Sequence, residues 1–252
     1  MAKQKGLIKL HGTMGDITFY RSKDGYMARE KGGISAERMH NDPRFQRTRE
    51  NMAEFGRAGK AGKLLRGSIQ SLLRAAADPR MVSRLTKEFV KVIQMDAVNP
   101  RGQRNVIDGE AELLEGFEFN IQGKLSTSLS APFMPTIDRA TGDMILNIDP
   151  FIPTDSLVAP SGSTHYRIVT GAMDVNFESS AYASETNETP VKPIDTVLTE
   201  PLQLSNNLNP DSTNPLFLVL GINFYQEVNG TFYEMKNGAH NALQIVKVSG
   251  TP

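Results

Sequence analysis

The 252-residue chain contains no cysteine. That excludes disulfides, thiolate nucleophiles and cysteine-held metal sites together. It also contains no tryptophan. Sugar faces commonly stack on aromatic rings, so a carbohydrate-handling β-sandwich is the weakest of the readings weighed. No apolar run reaches the roughly 18 residues needed to span a bilayer. The start, Met1-Ala2-Lys3-Gln4-Lys5-Gly6, lacks the apolar core of a signal peptide. A cytoplasmic protein with no membrane partner is expected, with lysis or a dedicated machine as the routes of release. Without a secretory route, the sequons at Asn187 and Asn229 carry no weight.

Catalytic signatures are scarce too. His11, His40, His165 and His240 are isolated in sequence and form no metal-binding pair. No Gly-x-Ser-x-Gly elbow is present. Glu110, Glu112, Glu115 and Glu118 form an acidic cluster without the alternating Asp/Asn ligands and central Gly of a calcium loop, and it reads as a solvated face. No small-molecule substrate is identified, no cofactor or metal is implied, and the chain reads as non-enzymatic.

What the sequence does have is a segregation of charge. Residues 1–105 carry 22 Lys+Arg against 10 Asp+Glu, and residues 106–252 carry 6 against 18, although the net charge is zero. With 39% hydrophobic residues there is material for real cores.

Residues 6–31 read as a small β meander. Its apolar runs are Leu7, Ile8, Leu10, then Ile17, Phe19, Tyr20, then Tyr26, Met27. Gly12, Gly15 and Asp24-Gly25 punctuate it, and Asp-Gly is a type I′ hairpin signal. Such a meander is marginal alone. Residues 32–41 read as a linker. Asp42-Pro43-Arg44 then opens a helix expected to run to about Ala77, because Asp caps well and Pro suits the first helical position. Its apolar or small positions are Phe45, Met52, Phe55, Gly59, Gly62, Leu65, Ile69, Leu72 and Ala76. Asp78-Pro79-Arg80 repeats the opening for a second helix to about Asp96, striped with Val82, Leu85, Phe89, Val92 and Ile93. The two predict an antiparallel αα-hairpin.

From Phe117 the pattern is β: Phe117–Ile121, Lys124–Leu129, Met144–Ile148, His165–Phe177, Leu216–Tyr225 and Ala242–Val248. Asn229-Gly230 gives another type I′ signal. Strands at this spacing, broken by prolines, predict an antiparallel β-sandwich. The expected fold is α+β in three parts: a β-hairpin arm and linker over 1–41, a basic helical hairpin over 42–105, and an acidic β-sandwich over 106–252.

Gly56-Arg57-Ala58-Gly59-Lys60-Ala61-Gly62-Lys63 approaches a P-loop, but its last glycine is one place late, Leu64 stands where Ser or Thr is needed, and the run lies within a helix. The better reading is a stripe of Gly56, Gly59 and Gly62 for close helix packing. Each such glycine costs about 1 kcal/mol relative to alanine, so close approach of another backbone is the natural compensation. Arg47, Arg57, Lys60 and Lys63 form a basic face. Nucleic acid is its sharp reading. A solvated face, or a face that meets the acidic domain, is the plain one.

The front third, with Gly12-Thr13-Met14-Gly15-Asp16-Ile17-Thr18-Phe19-Tyr20, Gln46-Arg47-Thr48-Arg49-Glu50-Asn51 and Glu54-Phe55-Gly56, resembles a group of uncharacterised Bacteroidota proteins. These combine an N-terminal β-hairpin, a basic helical segment and a C-terminal β domain. The likeness covers about residues 6–70. It implies this organisation and a bacterial or phage source, and brings no activity with it.

The leading reading is a structural protein that self-assembles into a homo-oligomer, as a filament, sheath or shell subunit. Opposite charges at opposite ends favour head-to-tail contacts. The arm, through Leu7, Ile8, Leu10, Ile17 and Phe19, would add a strand to a neighbour's sheet. A nucleic-acid-binding protein using the first helix is the alternative.

Overall fold

The computed structural model describes residues 1–30, 32–235 and 240–251. The chain is mixed α+β with antiparallel sheets, one of which curls into half a barrel. It divides into two units, Met1–Arg49 and Glu50–Pro252.

The first unit holds β1 (Ala2–Lys3), β2 (Gly12–Met14), β3 (Ile17–Ser22) and β4 (Gly25–Glu30), in the order β1-β4-β3-β2. The β3–β4 turn differs from the type I′ expectation. Ser22 pairs with Gly25, so Lys23 and Asp24 make the reversal and only Gly25, at φ +109°, is left-handed. The expected linker contains a helix, α1 (Ala36–Asn41), because the Ser35 hydroxyl accepts the Arg38 N–H and caps it. Asp42 does cap the next turn: its carboxylate accepts the Arg44 N–H at 3.0 Å.

The long helix, α2 (Gln46–Ser68), starts after a single 3-10 turn over Pro43–Phe45. It breaks at Ile69, whose backbone leaves the helical region at φ −121° and ψ 29°. The short α3 (Gln70–Leu73) follows, then α4 (Met81–Gln94). Asp78 holds the start of α4. Its carboxylate accepts the Arg80 and Ile121 N–H groups and pairs with Arg84. Burial pushes this carboxyl up, but the bonds from Arg84, Ile121 and Arg80 outweigh it and hold it below the ordinary carboxylate range.

The remaining elements are α5 (Leu125–Ser128), β5 (Phe133–Ile137), β6 (Asp143–Ile148), α6 (Pro153–Ser156), β7 (His165–Asn176), β8 (Ala181–Glu188), β9 (Lys192–Pro193), β10 (Leu202–Asn207), β11 (Leu216–Val228), β12 (Thr231–Glu234) and β13 (Ala242–Ser249). One sheet runs β10-β6-β5. The larger runs β12-β11-β7-β8, with β13 also on β11 and β9 on β7. Asn229-Gly230 forms the expected two-residue turn, with both residues left-handed at φ +53° and +78°. Two expected strands change character. Residues 116–119 lie beside β13 through Phe119 N–H to Leu243 O (2.8 Å) and Ile245 N–H to Phe117 O (3.0 Å), yet only Glu118 forms a bridge. Lys124–Leu129 becomes α5 because Leu129 N–H closes back on Leu125 O. β8 and β10 are strands beyond the sequence expectation: β8 is exposed along almost its whole length, and β10 alternates with only Leu202 and Leu204 apolar before the buried Asn206.

The long strands β7 and β11 are apolar on both faces, and two clusters use them. Met173, Val175, Phe217 and Val219 share a core with Leu65 of α2 and Ile69 just after it, Leu85 and Phe89 of α4, and Leu243 and Ile245 of β13. Tyr166, Ile168, Leu218, Leu220 and Phe224 share the other with Met144, Leu146 and Ile148 of β6 and Leu204 of β10. The helical layer approaches closely. A Cβ on Gly171 would lie 2.9 Å from Leu72 Cδ1 and 3.0 Å from Val219 Cγ2. The basic helices therefore share one core with the acidic strands, across the boundary expected near residue 105. Among the described residues no helix is long and apolar enough to cross a membrane.

The apolar stripe of α2 is narrower than its spacing suggests, since Met52 and Phe55 are 54% and 62% exposed while Leu65 is fully buried. Leu65→Ala should therefore cost about 2–5 kcal/mol of stability in urea unfolding. Phe55→Ala should stay within about 0.5 kcal/mol.

Candidate assembly surface

Strand register sorts the first unit's side chains. Met14 pairs with Ile17, Phe19 with Ala28, and Ala28 with Ala2, so these five share one face. Thr13, Thr18, Tyr20, Met27 and Lys3 take the other. Arg29 stacks over Tyr20 and Arg21 over Tyr26, each 5.6 Å from the ring centre. Yet no described residue of this unit is buried. Its apolar face forms an open hollow lined by Met1, Ala2, Met14, Ile17 and Ala28. The sheet has register and hydrogen bonds but no core of its own.

The segment before β2 is built differently from the expected strand. Gln4 continues β1, its N–H reaching Tyr26 O at 2.9 Å. Its side chain then imitates a strand partner: Oε1 accepts the Leu10 N–H at 2.8 Å, and Nε2 donates to Leu10 O at 3.3 Å and Met27 O at 3.0 Å. Lys9 Nζ closes the loop on Gln4 O and Gly6 O. Leu7 and Ile8 thus sit exposed at the tip of a pinned loop, with Leu10 at its base. Ile17 and Phe19 lie on β3. The missed residue is Gln4, and a glutamine between two lysines gives no sequence signal of this role.

The glycine stripe resolves unevenly. Gly62 faces α4, where a Cβ would touch Phe89 at 3.5 Å and Leu85 at 3.7 Å. A Cβ on Gly56 or Gly59 would meet nothing within 4 Å. Close packing is therefore confined to Gly62. With about 100° per residue, positions six apart lie roughly 120° apart around the helix, so one partner cannot cover all three. The basic face is uneven as well. Arg57 donates inward to Gly102 O at 2.7 Å and Arg104 O at 3.1 Å. Lys60 and Lys63 are exposed on α2. Arg47 is exposed and belongs to the first unit.

In the second unit the acidic cluster does more than face solvent. Glu118 accepts the Leu125 N–H at 3.1 Å and Gln244 Nε2 at 2.9 Å, and Glu115 and Glu112 accept the Val248 and Gly250 N–H groups. Arg84 Nη1 donates to the Glu118 carbonyl at 2.7 Å. Burial pushes the Glu118 carboxyl up to about 7, against the Leu125 bond and the charges of Lys124 and Arg84. A glutamate between two core phenylalanines on a strand-like segment is the sequence signal for this.

Glu118 binds its proton more tightly folded than unfolded. Its contribution is therefore complete below the unfolded value near 4.5 and is lost as pH rises through 7. Glu118→Gln should flatten the pH dependence of urea unfolding between about pH 5 and 8. The difference should be about 1–2 kcal/mol, allowing for solvent screening at a partly open site. Comparison with known protein families, curated proteins and solved structures gives no significant match to this chain, so its functional reading rests on its own geometry.

Proposed function

We propose that this is a structural protein whose first unit is an assembly arm completed by a second copy of the chain. The observation that carries the reading is a four-stranded sheet in which no described residue is buried. A sheet stabilises itself by packing one face on something. Here Met14 and Ile17 are exposed on one face with Phe19 half-buried beside them, and the Leu7-Ile8 tip adds more exposed apolar surface. The remainder of the chain supplies a body with two cores, read as a helical hairpin packed on a β-sandwich.

Charge selects the partner. The first unit carries 11 Lys+Arg and 5 Asp+Glu, the second 17 and 23. The excesses are +6 and −6. Oppositely charged surfaces on one chain favour heterologous contacts, which close into rings or run on as filaments. The nucleic-acid reading is weaker, because Arg57 and Arg84 are engaged with backbone carbonyls and an acidic body repels phosphate.

Purified protein at high concentration and low salt should sediment as oligomers and appear as regular assemblies in negative stain. Leu7→Asp with Ile8→Asp, or removal of residues 1–31, should leave a folded monomer with the far-UV dichroism of the body. A monodisperse monomer in the intact protein, unchanged by removal of the arm, would sink the reading. A steeply salt-dependent shift with a DNA duplex, lost on Arg47→Glu with Lys60→Glu, would replace it by nucleic-acid binding.

A further inference from the structure

The larger sheet has a break in its pattern that the assembly reading does not use. On the face toward the helices, β7 reads Arg167, Val169, Gly171, Met173, and β11 reads Phe217, Val219, Gly221, Asn223, Tyr225. The apolar end lies in the helix-facing core. The polar ends are paired in register, Asn223 with Arg167 and Gly221 with Val169. Glu188 of β8 stands opposite Val169, and Glu234 of β12 opposite Tyr225. Glu188 of β8, Asn223 and Tyr225 of β11 and Glu234 of β12, with Val169 of β7 among them, thus make a largely polar floor where the helical layer stops, and Arg167 flanks it.

Over this floor is a cleft of about 540 Å³, walled on one side by Ser71, Leu72 and Ala75. The volume falls within the range of about 300–1,000 Å³ usual for small-ligand sites. Its parts are held in place. Arg167 pairs with Glu188 at 2.7 Å and lies over the Tyr225 ring at 5.7 Å. Asn241 donates to Ala75 O at 3.1 Å and to Glu234 at 3.2 Å, which ties wall to floor. The Arg167 Nε is buried without a hydrogen-bond partner, so donor capacity beside the cleft is unmet.

We propose that this cleft binds a short carbohydrate of one or two sugar rings. A sugar ring has an apolar C–H face and a rim of hydroxyls that both donate and accept. Leu72, Ala75 and Val169 offer an aliphatic wall to such a face. Glu188 and Glu234 offer acceptors, and Asn223 and the Tyr225 hydroxyl offer both functions. Glu188 and Glu234 line the cleft, and Arg167 stands beside it with its guanidinium paired to Glu188, which disfavours phosphorylated ligands. The polar floor disfavours lipids and flat aromatic ligands. The lack of tryptophan counts against sugar stacking on an indole ring; here Leu72, Ala75 and Val169 take the place of that aromatic platform.

A panel of mono- and disaccharides, with N-acetylglucosamine, maltose and cellobiose included, should be screened against the full chain by saturation-transfer difference NMR. At least one should show transfer concentrated on its C–H face. Asn223→Ala and Ser71→Trp should each weaken it about tenfold or more, with thermal unfolding unchanged, whereas Lys63→Ala outside the cleft should not. If Ser71→Trp unfolds the protein, Asn223→Ala and Glu234→Gln decide the matter. The proposal fails if no sugar in the panel binds, or if binding is indifferent to the cleft substitutions. Because the readout is ligand transfer and not particle size, it stands or falls separately from assembly.

Discussion

Everything in the second unit depends on burying both faces of β7 and β11. Their side chains point alternately to the helices and to the small sheet, and both directions are apolar over most of their length. A strand covered on two sides cannot slip by one residue without exchanging its two sets of neighbours, so each layer fixes the register of the others. Gly171 shows how tight the arrangement is, since Leu72 and Val219 occupy the space a side chain would need.

The first unit follows the opposite rule. Its strands are held in register, with β1 and β2 as open edges, and its turns are specific, but burial is missing. Hydrogen bonding supplies order and leaves the favourable term of folding, removal of apolar area from water, largely unused. The two units thus divide the physical work: one is stable by packing, and the other is shaped so that packing comes from outside. The charge excess does not follow this division: residues 50–105 of the second unit carry 11 Lys+Arg and 5 Asp+Glu, the same +6 as the first unit, and the sign changes only at the step from helices to strands. Arg57 and Arg84 of the basic stretch are already engaged within the second unit's own layers.

Much of the fold was legible where the chain carries strong local signals. Asp42 and Asp78 cap the turns their Asp-Pro motifs suggest, Asn229-Gly230 turns as its chemistry requires, and the apolar runs of β6, β7, β11 and β13 are strands. The signals that failed were weak or shared between outcomes. Ser35 hides a cap within a polar stretch. Phe117-Glu118-Phe119 alternates like a strand, yet only one residue bridges. β8 is too exposed to show a period. Spacing placed Phe55 and Leu65 on one stripe, whereas only Leu65 meets the core, because a three-residue step drifts around the helix.

The sequence by itself determined the long apolar strands, the basic helices, the Asp42 and Asp78 caps, the Asn229-Gly230 turn, the absence of thiol chemistry and the uneven distribution of charge. These depend on residues near one another in the chain and on composition. Only the tertiary structure decided that basic helices and acidic strands share a core, that Gln4 pins the exposed Leu7-Ile8 tip, and that Glu188, Asn223, Tyr225 and Glu234 converge on one cleft. Those relations are set by pairing between residues far apart in sequence. Local propensity carries no information about which distant strand a given residue will face.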